Sequence, residues 1–261
     1  MKKTIAWWSG GITSAVACAL ALKEHENVEL VYIHLNQAHK DTPRFKEDCE
    51  AWYGRKIWSI QSGKYNADVL DCIEQRGFIN GPFGASCTKY LKKEVRQIYQ
   101  ALHELDHHVM GFEFDVDEIQ RAVEFKKDYA ALDPLFPLID AKLNKAQCAG
   151  IILSAGIALP EMYNLGYHNN NCVGCVKGGM GYWNKIRIDF PEVFERMKLA
   201  EERVGHSCIN GTFLKDLTPE QGRHDPPIAP ECGPFCGEDA TSIFRAKAES
   251  IFRGQMTMAL A

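Results

Sequence analysis

Trp7-Trp8-Ser9-Gly10-Gly11-Ile12-Thr13-Ser14 is the stretch that decides the fold. Thr4 to Trp8 is β-branched and aromatic and predicts a strand, while Thr13 to Lys23 is rich in Ala and Leu and predicts a helix. The paired glycines therefore mark a strand-to-helix turn. Glycine backbone can turn sharply and aim several N–H groups at one point, and the helix N-terminus adds partial positive charge, so Ser9, Gly10 and Gly11 suit an anion. Thr13 and Ser14 bring hydroxyl donors. The GxxxxGK[ST] arrangement of γ-phosphate-transferring loops is absent.

Outward from this turn the alternation continues. Val28 to Leu35 predicts a second strand, Thr42 to Tyr53 a helix, Lys56 to Ile60 a strand and Ala67 to Gln75 a helix. A long helix is predicted over Thr88 to Leu105 and a strand over His108 to Phe114. This order predicts an α/β fold, a mostly parallel sheet with helices on both faces, and places the glycine turn at the strands' carboxyl ends, where such sheets bind ligands. Beyond Pro137 the pattern changes, with helices predicted over Leu143 to Ala155 and Pro191 to Val204 around a Gly-, Asn- and Cys-rich stretch, Gly166 to Gly181. Five prolines between Thr218 and Glu238 predict an extended tail or lid. The division expected is a nucleotide-binding α/β domain over 1–140 and a helical, Cys-containing region over 141–261.

Composition narrows the function classes. With 261 residues and 46% hydrophobic content the chain can bury a sizeable core. The apolar stretch after Lys3 is too short for an export segment, and no run approaches the roughly 18 residues of a membrane span, so the expectation is a cytoplasmic protein with no membrane partner. Ten cysteines in such a chain are then expected as reduced thiols. A formal charge of −4 argues against nucleic-acid binding by phosphate neutralisation alone.

Several ordered segments resemble one family. The turn resembles the PP-loop of ATP pyrophosphatases, and Val31 to Asn36 resembles the second strand of phosphoadenosine phosphosulfate (PAPS) reductase-like proteins, whose end contacts adenine or ribose. Cys87-Thr88-Lys89-Tyr90-Leu91-Lys92 is similar to their CTxxLK segment. Gly111 with Glu118-Ile119-Gln120-Arg121 is similar to their glycine followed by ExxR. Pro137 to Asp140 is similar to PLxD, and Asn171-Cys172-Val173-Gly174-Cys175 to their CxxC segment. The sequence departs from many relatives in carrying Ile12-Thr13 where they have a Lys-Asp pair, and no arginine precedes Cys87.

The resemblance implies an adenine-nucleotide site built from Ser9, Gly10, Gly11, Thr13, Ser14, Asn36, Gly111 and Glu118, with Lys92 and Arg121 balancing phosphate or sulfate charge. Spacing alone also allows Lys89 and Lys92 to be a solvated helix face, and Glu118 with Arg121 an intrahelical ion pair. Cys172 and Cys175 have the spacing of paired metal ligands. The resemblance brings Cys87 to them as a third, and Cys236 or Cys232 is a candidate fourth, for a 4Fe-4S cluster or, alternatively, zinc or no metal. Glu231-Cys232-Gly233 resembles the ECG segment of sulfonucleotide reductases, which makes Cys232 a candidate nucleophile, although the chain continues well past it.

Three functions follow from the resemblance. In the first, ATP with Mg2+ adenylates an acceptor, which can be a nucleobase, DNA or a small metabolite, and a sulfur donor then thiolates it. In the second, PAPS is reduced through a Cys232 thiosulfonate with the help of a thiol reductant protein. The third is a non-catalytic nucleotide-binding regulator. A homo-oligomer is expected in each case.

Overall fold

The computed structural model describes residues 3–81, 84–223 and 226–231. β1 (Thr4–Trp7), α1 (Ile12–Glu24), β2 (Val28–Ile33), α2 (Thr42–Tyr53), β3 (Ile57–Ile60) and α3 (Val69–Arg76) follow one another as the periodicity predicts. Next come a π-helical turn (Thr88–Lys93), α4 (Glu94–Leu102), β4 (His107–Val109), α5 (Val116–Asp128) and β5 (Pro134–Leu135). The remaining helices are α6 (Pro137–Asp140), α7 (Lys145–Ser154), α8 (Glu161–Asn164), α9 (Met180–Asp189) and α10 (Pro191–Val204).

The five strands form one parallel sheet in the order β3-β2-β1-β4-β5. The chain first winds outward through β2 and β3, then crosses β1 to lay down β4 and β5. The direction therefore reverses between β1 and β4, which opens a crevice at their carboxyl ends. Register follows the pleat: Ala6 pairs with Leu30 and Val109, and these three face α1, α2 and α7 in one buried cluster. On the opposite face Trp7 and His108 meet α4 through Tyr99 and Gln100. α1 is apolar almost all round because it is sandwiched between the sheet and α7, and its small residues Ala15, Ala17, Ala19 and Ala21 allow that approach.

A second buried cluster joins α3, the π-turn, α9 and α10 around Trp183 and Phe194. Both clusters mix residues from before and after position 140: α7 packs in the first and α3 in the second. Two expectations are corrected here. The helix expected over Thr88 to Leu105 opens as a π-turn and stops at Leu102, and the strand expected over His108 to Phe114 is confined to His107–Val109, because the chain turns away at Gly111 to meet α1. The short β5 and the helix α9 were not anticipated; the alternating Ile-Arg-Ile pattern in α9 carries no helical period. Among the described residues no helix is long and apolar enough to cross a membrane.

His108 carries a pH dependence into this core. It is buried, and its Nδ1 accepts a bond of 3.1 Å from the Trp7 indole N–H. Burial first, then the Arg96 guanidinium, pushes its pKa from 6.5 down to about 4. The unfolded chain therefore takes up a proton below pH ~6.5 that the folded one refuses until about 4, so stability from this group is complete above that window and declines as pH falls through it. The loss should be on the order of 2 to 3 kcal/mol by pH 4. Urea midpoints at pH 7 and pH 5 should move less in His108→Gln, which keeps an acceptor for Trp7; equal movement in both proteins would remove His108 as the source.

Candidate functional site at the switch point

The loop after β1 is organised by one hydroxyl. Ser14 Oγ accepts the Ser9 N–H at 2.9 Å, lies 3.0 Å from Ser9 Oγ, and donates to the Gly11 carbonyl at 2.8 Å. Gly10 has φ +90°, a conformation other residues rarely adopt. Gly11 caps α1 in extended backbone and has no side chain to bond the first-turn amides, so apart from the Ile12 N–H they are open to an anion. Thr13 lies half-buried on that first turn.

Other elements press against this loop. A Cβ on Gly111 would stand 2.7 Å from Ser14 Cα and 2.8 Å from Ser14 N, so only glycine lets the end of β4 reach α1. The Tyr163 hydroxyl accepts the Ile12 N–H at 3.4 Å, and Asn170 Nδ2 donates to the Gly10 carbonyl at 2.7 Å. Behind them Lys145 forms an ion pair of 2.9 Å with Glu113, both side chains being nearly buried, and donates at 3.0 Å to Asn169 Oδ1. Asn170, Tyr163, Lys145 and Glu113 escape a reading of the sequence. The run Asn169-Asn170-Asn171 before Cys172 was the one available signal, and nothing local marks the others.

That asparagine run leads directly into the thiols. Val173 N–H donates to the Gln37 carbonyl at 2.8 Å, fastening the CxxC turn to the loop beyond β2. The Tyr182 hydroxyl accepts the Cys175 N–H at 2.9 Å and donates to the Cys172 carbonyl at 3.1 Å, so α9 holds the turn from the other side. Gly174, at φ +76°, completes it. The Cys87 thiol interacts electrostatically with Cys175, and Cys172 with both others. Burial pushes the Cys172 thiol up to about 11 and raises Cys87, while Lys92 pulls both back.

Lys92 therefore lies by the thiols, whereas Lys89 is drawn over the Tyr90 ring, 5.0 Å from its centroid. The widened π-turn separates the two lysines that α-helical spacing would have put on one face. Among the described residues no group of three or more His, Cys, Asp or Glu side chains is placed to hold a metal ion. Lys92 beside Cys87 and Cys172 favours the thiolate form, the form in which either sulfur would hold a metal. Cys232 and Cys236 lie outside the described residues.

Two expected residues sit at the rim. Arg121 is paired with Glu118 at 2.8 Å within α5, as the plain helical reading has it, and its guanidinium lies over the Phe112 ring, one residue past Gly111. Asn36 lies in the turn three residues beyond β2, with its amide bonded to the Asn66 carbonyl at 2.9 Å. It lines a cavity of about 490 Å³ that also takes in Gln37, Val173 and Gly174.

The last described residues close over this region from outside. Asn184, buried, donates to the carbonyls of Thr218, Pro219 and Gln221, and Gly181 lies backbone to backbone against Gly222 and Arg223. Farther on, Ile228 packs on the first cluster and the Glu231 N–H donates to the Ala146 carbonyl at 3.0 Å, one residue from Lys145. A family model for the phosphoadenosine phosphosulfate reductase domain matches residues 3–178, which takes in the loop, Gly111 and all three neighbouring thiols. No curated protein matches the chain.

Proposed function

The chain belongs to the phosphoadenosine phosphosulfate reductase domain family, within the adenine nucleotide alpha hydrolase-like superfamily, and from that premise we propose that it adenylates an acceptor with ATP and passes sulfur to it. The observation that carries this reading is the join between loop and thiols: Asn170 grips Gly10 and stands two residues before Cys172. In this reading the loop amides and the N-terminus of α1 hold the β- and γ-phosphates. An acceptor oxygen attacks the α-phosphorus, the bond to the β-phosphate oxygen breaks, and pyrophosphate leaves on the loop. The chain's own electrostatics favour charge build-up there, since preorganised N–H groups need no reorganisation as the leaving group gains charge. Lys92 lowers the cost of a thiolate at Cys87 or Cys172, the form that can take the outer sulfur of a persulfide donor; that sulfur displaces AMP from the adenylated acceptor, a second thiol of the group frees it by forming a disulfide, and a thiol reductant reopens the pair.

A second reading has its own support. Glu231 is fastened beside Lys145, so the chain enters Cys232 from the edge of the phosphate site. That suits a tail cysteine attacking the sulfur of a phosphosulfate, with the nucleotide bisphosphate leaving and a second thiol releasing sulfite.

Calorimetric titration of anaerobic protein with ATP plus Mg2+, and separately with PAPS, separates the two. We expect ATP to bind at least about tenfold more tightly, a difference of about 1.4 kcal/mol. Tighter PAPS binding, with sulfite release abolished in Cys232→Ser, would overturn the adenylating reading in favour of the reductive one.

A further inference from the structure

We propose that Asn170 is a positioning residue of the nucleotide site: by holding the Gly10 carbonyl it sets the Gly10–Gly11 peptide so that the Gly11 N–H faces the phosphate. The inference rests on the reading of the loop as a phosphate site. It begins from peptide geometry. A trans peptide is planar, and its C=O and N–H point in opposite directions. Fixing the Gly10 carbonyl against Asn170 Nδ2 at 2.7 Å therefore fixes the Gly11 N–H on the side away from Asn170.

The loop has no means of its own to do this. Gly10 at φ +90° and the glycine after it are the most freely rotating residues of a chain, and no side chain caps α1 at Gly11. Ser14 bonds the Trp8–Ser9 peptide through the Ser9 N–H and the Gly11–Ile12 peptide through the Gly11 carbonyl; of the two peptides between them, Asn170 holds the Gly10–Gly11 one. The amide's orientation is dictated by its partner: a carbonyl only accepts, so the NH2 end must face it.

Asn170 is itself held from behind. Its backbone meets the Tyr163 hydroxyl, which also takes the Ile12 N–H. Asn169 is held by Lys145, and Lys145 by Glu113. Glu113 is two residues past Gly111, the glycine that touches Ser14, so the support closes a ring around the loop. Removing water from an ion pair costs as much as the pairing returns, so the Glu113–Lys145 pair is better explained by the placement it gives Asn169 and Asn170 than by stability.

The test is a pair of binding titrations, ATP plus Mg2+ and adenosine, on wild type, Asn170→Ala and Asn170→Asp. One misaimed N–H to a charged phosphate should weaken ATP about tenfold in Asn170→Ala and leave adenosine unchanged. Asn170→Asp keeps the shape, loses the donor and adds repulsion toward the carbonyl, so its ATP affinity should fall at least as far; it serves if the alanine variant folds poorly. ATP affinity equal to wild type in either folded variant overturns the proposal, and so does equal weakening of ATP and adenosine, which marks a structural role. Wild-type protein that binds adenosine as tightly as ATP would instead overturn the phosphate reading of the loop, and this inference with it.

Discussion

Gly111→Ala should cost the protein about tenfold or more in ATP affinity and lower its Tm by about 5 to 10 °C. The added methyl would lie 2.7 Å from Ser14 Cα, 2.8 Å from Ser14 N and 3.1 Å from Ser14 Cβ. Two of those atoms are backbone in the first turn of α1, which is itself wedged between the sheet and α7, so no flexible side chain can give way. Either β4 withdraws from β1, where its register is set by Ala6 against Val109, or α1 tilts. Overpacking of this kind costs about 1 to 3 kcal/mol, and about 2 to 4 °C of Tm accompanies each kcal/mol in a chain of this size. Ser14 also holds Ser9 and the Gly11 carbonyl, so a shift of α1 dismantles the loop as it destabilises the fold. Thermal melts and ATP titration of the same preparation check both effects. A variant with wild-type melting and wild-type affinity would show that β4 and α1 do not meet as described.

Gly181→Ala should release the segment that crosses α9. Here a Cβ would fall 1.8 Å from the Arg223 carbonyl oxygen and 2.7 Å from its carbon, so the two backbones cannot stay in contact. Asn184 would lose its hold on Thr218, Pro219 and Gln221, and Arg187 its bond of 2.6 Å to the Leu217 carbonyl. With the two amide N–H groups of Asn184 and one of Arg187 each losing its partner at about 1 kcal/mol, the destabilisation reaches about 3 kcal/mol. Limited proteolysis should then cut near 217–223 much faster than in wild type, and the Tm should fall. Under the reductive reading sulfite release should fall with it, because this segment precedes Glu231 and Cys232 in the chain. Proteolysis and melting unchanged from wild type would count against a latched segment.

Much of this architecture is written locally. β-branched residues in Thr4–Trp7 and Val28–Ile33, the Ala-rich run of α1 and the glycines between them determine a strand-turn-helix start, because propensity and periodicity act over a few residues. The glycine turn was legible for the same reason, as was the spacing of Cys172 and Cys175, whereas Gly111 came only from the family resemblance. The plain reading of Glu118 and Arg121 as a helical pair also needs only their separation of three.

What the sequence could not determine depends on groups far apart along the chain. Asn170 reaches Gly10 across 160 positions, and Glu113 meets Lys145 from a different element. The lengths of β4 and of the helix after Cys87 were set by packing, since Gly111 has to leave the sheet to touch Ser14 and the π-turn sends Lys89 and Lys92 to different neighbours. By itself the sequence determined an α/β chain with a glycine turn between its first strand and first helix. Only the tertiary structure decided which side chains orient that turn, because a hydrogen bond or an ion pair depends on distance in space, and local pattern carries no record of that distance.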